Sequence, residues 1–227
     1  MTKQIAISIP IELNNRQAIA STLWERYGKD YLFLGRFFQE TNTQESCQIE
    51  ISAPDLISNH TAINLISDEV GYSTCLKIAR FVRVFLELGG MAVRVESAEI
   101  THSPDKWLNL YNSEDIFDIY SLFVGLVETE AVYYSCGMHN FGKPDVTLTT
   151  TEDIGLAIYV MNVFNYYRLT EFPILQDGHI FQPDIESPRY QIQLLPDELY
   201  AWDSYQFNPY GRWHLSRAID VSISIDR

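Results

Sequence analysis

The chain of 227 residues carries 30 acidic against 16 basic side chains, a formal net charge of −14, and is 46% apolar and 20% charged. That apolar content excludes general disorder, and a chain this long buries roughly 70% of its unfolded surface without needing a staple. Its acidity excludes a phosphate backbone as an expected partner, because nucleic-acid affinity comes largely from Lys and Arg displacing counterions, and Arg80, Arg83 and Arg94 are too few to make a basic tract.

Ile5, Ile7, Ile9 and Ile11 alternate with polar or small residues, which predicts a half-buried strand. Asn14 and Asn15 cap a predicted helix running to Tyr27, where Gly28 stops it. Tyr31 to Phe38 and Gln48 to Ser52 read as strands joined by a polar hairpin loop, Gln39 to Ser46. After Gly71 the apolar residues Cys75, Ile78, Ala79, Val82, Phe85 and Leu86 recur at helical spacing. Gly89-Gly90 ends that helix, and Met91 to Val95 returns as a strand. Ser103-Pro104-Asp105 opens a short helix through Trp107 and Leu110.

Ile119 to Val127, Ala131 to Cys136 and Asp145 to Thr149 read as an antiparallel meander. Thr149 to Asp153 supplies hydroxyls and carboxylates for a helix start. The helix that follows, through Arg168, is apolar nearly all round and is expected to lie buried between layers. Gln176-Asp177-Gly178 is a turn; Tyr190 to Leu194, Gly211 to Leu215 and Val221 to Ile225 are the remaining strand candidates. The fold class is therefore α+β: mainly antiparallel sheet packed with two principal helices and shorter helical turns. It reads as one unit over 1–227, with two closely packed halves, 1–112 and 113–227, as the alternative division.

The amino end lacks the basic start and long apolar run of a secretory signal, and no stretch approaches the ~20 apolar residues that span a bilayer. Cys47, Cys75 and Cys136 are odd in number and far apart, which is no disulfide framework. The expectation is an acidic cytoplasmic protein with no membrane partner.

The string Ser135-Cys136-Gly137-Met138-His139-Asn140-Phe141-Gly142 is the most suggestive for chemistry. A thiolate nucleophile needs a base or positive field nearby, and Cys136 with His139 brings both residue types within four positions. The same pair could give two zinc ligands, the others having to come from His179, His214 or a carboxylate. Strand residues three apart face opposite ways, so either role needs a turn at Gly137; otherwise Cys136 is a buried strand residue. No phosphate-binding loop, dinucleotide fingerprint or nucleophile elbow is present, and no cofactor or metal is expected. Tyr200, Trp202, Tyr205, Phe207, Tyr210 and Trp213 form a dense aromatic collection, and Trp202, Tyr205, Tyr210 and Trp213, with Asp177 in its Asp-Gly turn, are the candidate binding residues, since exposed Tyr and Trp anchor protein contacts.

The helix ending Leu88-Gly89-Gly90 and running into Met91 to Val95, the Cys136 to Gly142 turn with the strand beyond it, and the later helix leading to Leu175-Gln176-Asp177-Gly178 together resemble an uncharacterised bacterial family, domain-of-unknown-function family 4261, over roughly residues 70–215. The resemblance implies a bacterial origin and an α+β fold; it supplies no activity, substrate or cofactor. The family's Asp-Gly-x-Thr-x-Gly is replaced here by Asp177-Gly178-His179-Ile180-Phe181. The functional expectation is a non-catalytic protein-interaction or ligand-binding module, recognising a protein partner or a second copy through the aromatic C-terminal region. A cysteine- or metal-dependent enzyme centred on Cys136 and His139 is the alternative.

Overall fold

The computed structural model describes residues 5–12, 21, 22, 25, 31–33, 37–40, 47–51 and 60–218. The first sheet holds β1 (Ile5–Glu12), β2 (Tyr31–Phe33), β3 (Phe37–Glu40), β4 (Cys47–Ile51), β5 (His60–Ser67), β6 (Val93–Val95) and β7 (Ile100–His102) in the order β2-β3-β4-β5-β1-β6-β7. Every neighbouring pair in it runs antiparallel. The second holds β8 (Gly125–Glu128), β9 (Val132–Cys136), β10 (Asp145–Thr149), β11 (Ile180–Phe181), β12 (Tyr190–Leu195) and β13 (Arg212–Arg217) in the order β11-β12-β13-β10-β9-β8. Only β10 and β13 run parallel there. Among the residues from 60 to 218 the α-helices are α1 (Tyr72–Glu87), α2 (Pro104–Leu110), α3 (Ile116–Phe123) and α4 (Ile154–Thr170). The α+β class, with antiparallel pairing dominant, is thus what the chain adopts.

Period two builds the first core from one side and period 3.6 from the other. Ile5, Ile7, Ile9 and Ile11 of β1 are all buried, as are Ile63 and Leu65 of β5. Cys75, Ile78, Ala79, Val82, Phe85 and Leu86 of α1 are buried in the same cluster. Trp107 of α2 is fully buried there; its indole N–H donates to the carbonyl of Ala79 at 3.0 Å, and its ring meets Phe123 edge-on. A second cluster lies between the second sheet and α4, built from Val146, Leu148, Tyr190, Ile192, Trp213 and Leu215 with Val160, Met161 and Phe164.

Three predicted elements are corrected. The strand predicted over 31–38 is two short strands, β2 and β3, paired antiparallel. The strand predicted from Ile119 is helix α3 up to Phe123, because Asp115 caps it by accepting the Phe117 N–H at 2.8 Å, and only the residues from Gly125 onward pair as β8. The α4 helix is not enclosed: Ile154, Ile158, Tyr159 and Tyr166 are 40% or more exposed. A strand that the sequence reading passed over, β5, is a central neighbour of β1. Of the helix predicted over 14–27 only positions 21, 22 and 25 are described, and these are helical; the predicted strand over 221–225 lies outside the described residues.

Candidate functional site

The Cys136–Gly142 string is interior, not cleft. Gly137 takes φ 116 and turns the chain from β9 into a short 3-10 segment, Met138–Phe141. The turn that the Cys136–His139 pairing required therefore exists, yet the side chains do not join. Cys136 is 1% exposed, and its thiol points at the Ser97 carbonyl 3.7 Å away. Burial, reinforced by the Asp145 charge, pushes this thiol well above its ordinary pKa. His139 is 2% exposed with neither ring nitrogen hydrogen-bonded among the described residues. Burial holds it down at about 4, opposed only by the nearby Tyr205 backbone, so it is neutral near pH 7. A neutral, buried imidazole gives a thiol no positive field. Among the described residues no group of three or more His, Cys, Asp or Glu side chains could hold a metal ion, and no helix is long and apolar enough to cross a membrane.

A direct consequence is slow alkylation. Native Cys136 is expected to react with iodoacetamide at least about a hundredfold more slowly than in the urea-unfolded chain, since the thiolate is both scarce and shielded. Peptide mass spectrometry over a time course reads this, and fast native labelling of Cys136 would restore the thiol chemistry.

Beside this turn lies a buried polar junction. Asp145, at the start of β10, is 3% exposed. Its Oδ1 accepts the Ser135 hydroxyl at 3.1 Å and the Met138 N–H at 3.0 Å, and its Oδ2 accepts the Asn208 amide at 2.6 Å. The Asn208 amide also donates to the Lys143 carbonyl at 3.0 Å, which pins the 196–211 loop to the second sheet. Arg168 of α4, also 3% exposed, donates to the Pro144 carbonyl at 2.8 Å and to Asn165, and lies over the Phe164 ring. Burial pushes Asp145 up to about 7 against the pull of its three donors and of Arg168. Burial lowers Arg168 to about 10, so it keeps its charge at neutral pH. These groups join α4, β9, β10 and the loop, although the buried Arg168 Nε has no hydrogen-bond partner among the described residues.

The candidate C-terminal residues divide sharply. Trp213 is core, 6% exposed, because β13 alternates and puts Trp213 and Leu215 on its inner face. Tyr210 is half-buried, its hydroxyl close over Gly142. Tyr200 is held by hydrogen bonds to Tyr134 at 2.8 Å and to Glu99 at 3.2 Å. Asp177 accepts the Leu194 N–H at 2.7 Å, a turn-fixing role. Only Trp202, 69% exposed, and Tyr205, 44% exposed, stand free enough to meet a partner.

Another exposed apolar surface lies on α4, and it follows from the sequence. Asp153 caps this helix by accepting the Leu156 N–H at 3.1 Å. Ala157, Val160, Met161, Phe164 and Arg168 make the buried stripe. Gly155, Ile158, Tyr159, Asn162, Val163 and Tyr166 make a second stripe with the same i, i+3, i+4, i+7 spacing, and it faces out. Together with Asp115 and Phe117 at the start of α3, this second stripe lines an open groove of about 620 Å³. Its walls are held from behind. Phe117 meets Tyr166 edge-on at 6.2 Å; Tyr120 donates to Asn162 at 3.0 Å and accepts the Asn165 amide at 3.1 Å; and Tyr159 donates to Asp184 at 2.8 Å. None of these groove residues was singled out from the sequence as a site, although the second stripe was visible there.

Comparison with protein-family models, with curated proteins and with solved structures finds no match to this chain.

Proposed function

We propose that this chain is a non-catalytic protein-interaction module whose principal docking face is the α3–α4 groove. One observation carries the reading: α4 is apolar on two opposite stripes, and Ile158, Tyr159 and Tyr166 of the outer one stand 40% or more exposed. Exposed large apolar side chains gathered into one patch are costly in water and mark contact sites on soluble proteins. Their fixed ring positions lower the ordering cost of binding, because little rotamer freedom is left to lose. Trp202 and Tyr205 offer a second contact on the 196–211 loop. The buried Cys136 and His139 favour this reading over thiol or metal chemistry.

Ile158→Asp tests it. Ile158 is 42% exposed, so the change should alter stability by no more than about 0.5 kcal/mol. Baits of wild-type, Ile158→Asp and Trp202→Ala protein are compared in affinity capture from host lysate, and any differential protein is then purified and titrated. The expected result is a partner held by wild type and by Trp202→Ala but bound at least about tenfold more weakly by Ile158→Asp. Loss with Trp202→Ala alone would move the docking face to the loop.

A further inference from the structure

We infer that the partner enters the α3–α4 groove as a basic amphipathic helix; this rests on that groove being the docking face. The groove's length fits such a segment. Its α4 wall runs from Gly155 to Tyr166, about 17 Å or three turns at 1.5 Å per residue, matching the reach of apolar side chains at i, i+3/i+4 and i+7 on an incoming helix.

Charge selects the kind of helix. Among the described residues that line the groove, Asp115 brings a carboxylate and there is no Lys, Arg or His. At the Tyr159 wall stands Asp184, whose pKa is held down at about 2 by the Ser187 and Tyr159 hydroxyls and by backbone N–H groups, so it is ionised at any physiological pH. Exposed Glu114 immediately precedes Asp115, exposed Asp153 lies two residues before Gly155, and exposed Glu186 lies two residues after Asp184. An apolar floor between fixed carboxylates pairs with Leu-type residues flanked by Lys or Arg, and the net charge of −14 steers such a helix inward. A second copy carries the same charge and the same acidic rim, so pairing two grooves sets like charges together.

Fluorescence anisotropy decides the matter with two labelled synthetic amphipathic helices, one of leucine and lysine and one of leucine and glutamate, titrated with the full chain. The expected result is micromolar binding of the leucine–lysine helix, weakened at least about tenfold by Ile158→Asp and several-fold by Asp115→Asn combined with Asp184→Asn. The leucine–glutamate helix should bind at least about tenfold more weakly than its basic counterpart. Since Ile158→Asp adds a negative charge, adherence by charge alone would be strengthened by it, and that outcome would overturn both the inference and the groove reading. Equal binding of the two helices, each lost in Ile158→Asp, would overturn the basic partner and leave the groove reading standing. Sedimentation showing a dimer that Ile158→Asp dissociates would give the groove to a second copy and overturn the inference.

Discussion

Gly137→Ala is expected to prevent stable folding, leaving little soluble protein and no cooperative urea transition by circular dichroism. A Cβ at Gly137 would stand 2.2 Å from the Phe123 carbonyl oxygen and 2.8 Å from the Ala98 Cβ. Both are backbone or backbone-anchored atoms, so neither can swing aside. Relief would require α3 and the Glu96–Ala98 turn to part from the Met138–Phe141 segment. That in turn would break the Asn140 amide's bond to the Phe123 carbonyl and expose Met138 and Phe141 of the first core. Strain at φ 116 adds its own cost. Clash, lost burial and strain together exceed about 5 kcal/mol, which is comparable to the whole stability of many domains. Gly89→Ala is the control. Gly89 has φ 102 but no atom within 4 Å of a would-be Cβ, so only the backbone term remains, about 1–3 kcal/mol. Equal losses in the two variants would show that conformation rather than the packing of Phe123 and Ala98 decides the first.

Local pattern carried much of this fold. The β1 alternation and the α1 stripe were legible because one face of each meets water or polar neighbours and the other meets the core, so burial wrote its period into the residues. The same logic failed where an element lacked that asymmetry. In Ile116 to Val127 apolar residues are too dense for either period to stand out, and the deciding signal was the Asp115 cap, a single side chain. On α4 both stripes are apolar. A helix enclosed between layers and a helix with one uncovered face have the same sequence pattern, and only the structure separates them. In the C-terminal region ring density drew attention to Trp202 and Trp213 alike, yet the alternation of Arg212, Trp213, His214 and Leu215 already marked Trp213 as inward-facing. The Asp145 junction was beyond reach, because its Asn208 donor lies 63 residues away and no spacing rule links a carboxylate to an amide in a distant loop.

Asp145→Ala should lower the melting temperature by roughly 10 °C and free the 196–211 loop. The substitution removes the acceptor of three donors, the Ser135 hydroxyl, the Met138 N–H and the Asn208 amide, in a site 3% exposed. Each buried donor left unpaired costs about 1–3 kcal/mol, and partial rescue by water brings the sum to about 3–5 kcal/mol. For a chain of this size each kcal/mol moves the midpoint by about 2–4 °C. Amide exchange should quicken around Asn208, whose anchor to β10 is lost, while α1 stays protected. Asp145→Asn is milder and exposes a second effect. In the folded wild type Asp145 titrates near pH 7 against about 4 when unfolded, so its contribution weakens the fold as pH rises through that window. His139 titrates at about 4 when folded against about 6.5 when unfolded, so its contribution weakens the fold as pH falls through that window, and His102 and His214, also lowered by burial, act with the same sign. The carboxylate and the imidazole therefore oppose each other between pH 4 and 6.5, each by about one proton, and flatten the wild-type profile. The amide introduced by Asp145→Asn does not titrate, which leaves His139 uncompensated: from pH 6.5 to 4 this variant should lose up to about 3 kcal/mol more than the wild type. Urea titrations of both proteins at pH 6.5 and 4.5 measure the difference. Parallel pH profiles would mean that Asp145 is ionised throughout, held so by its three donors and Arg168.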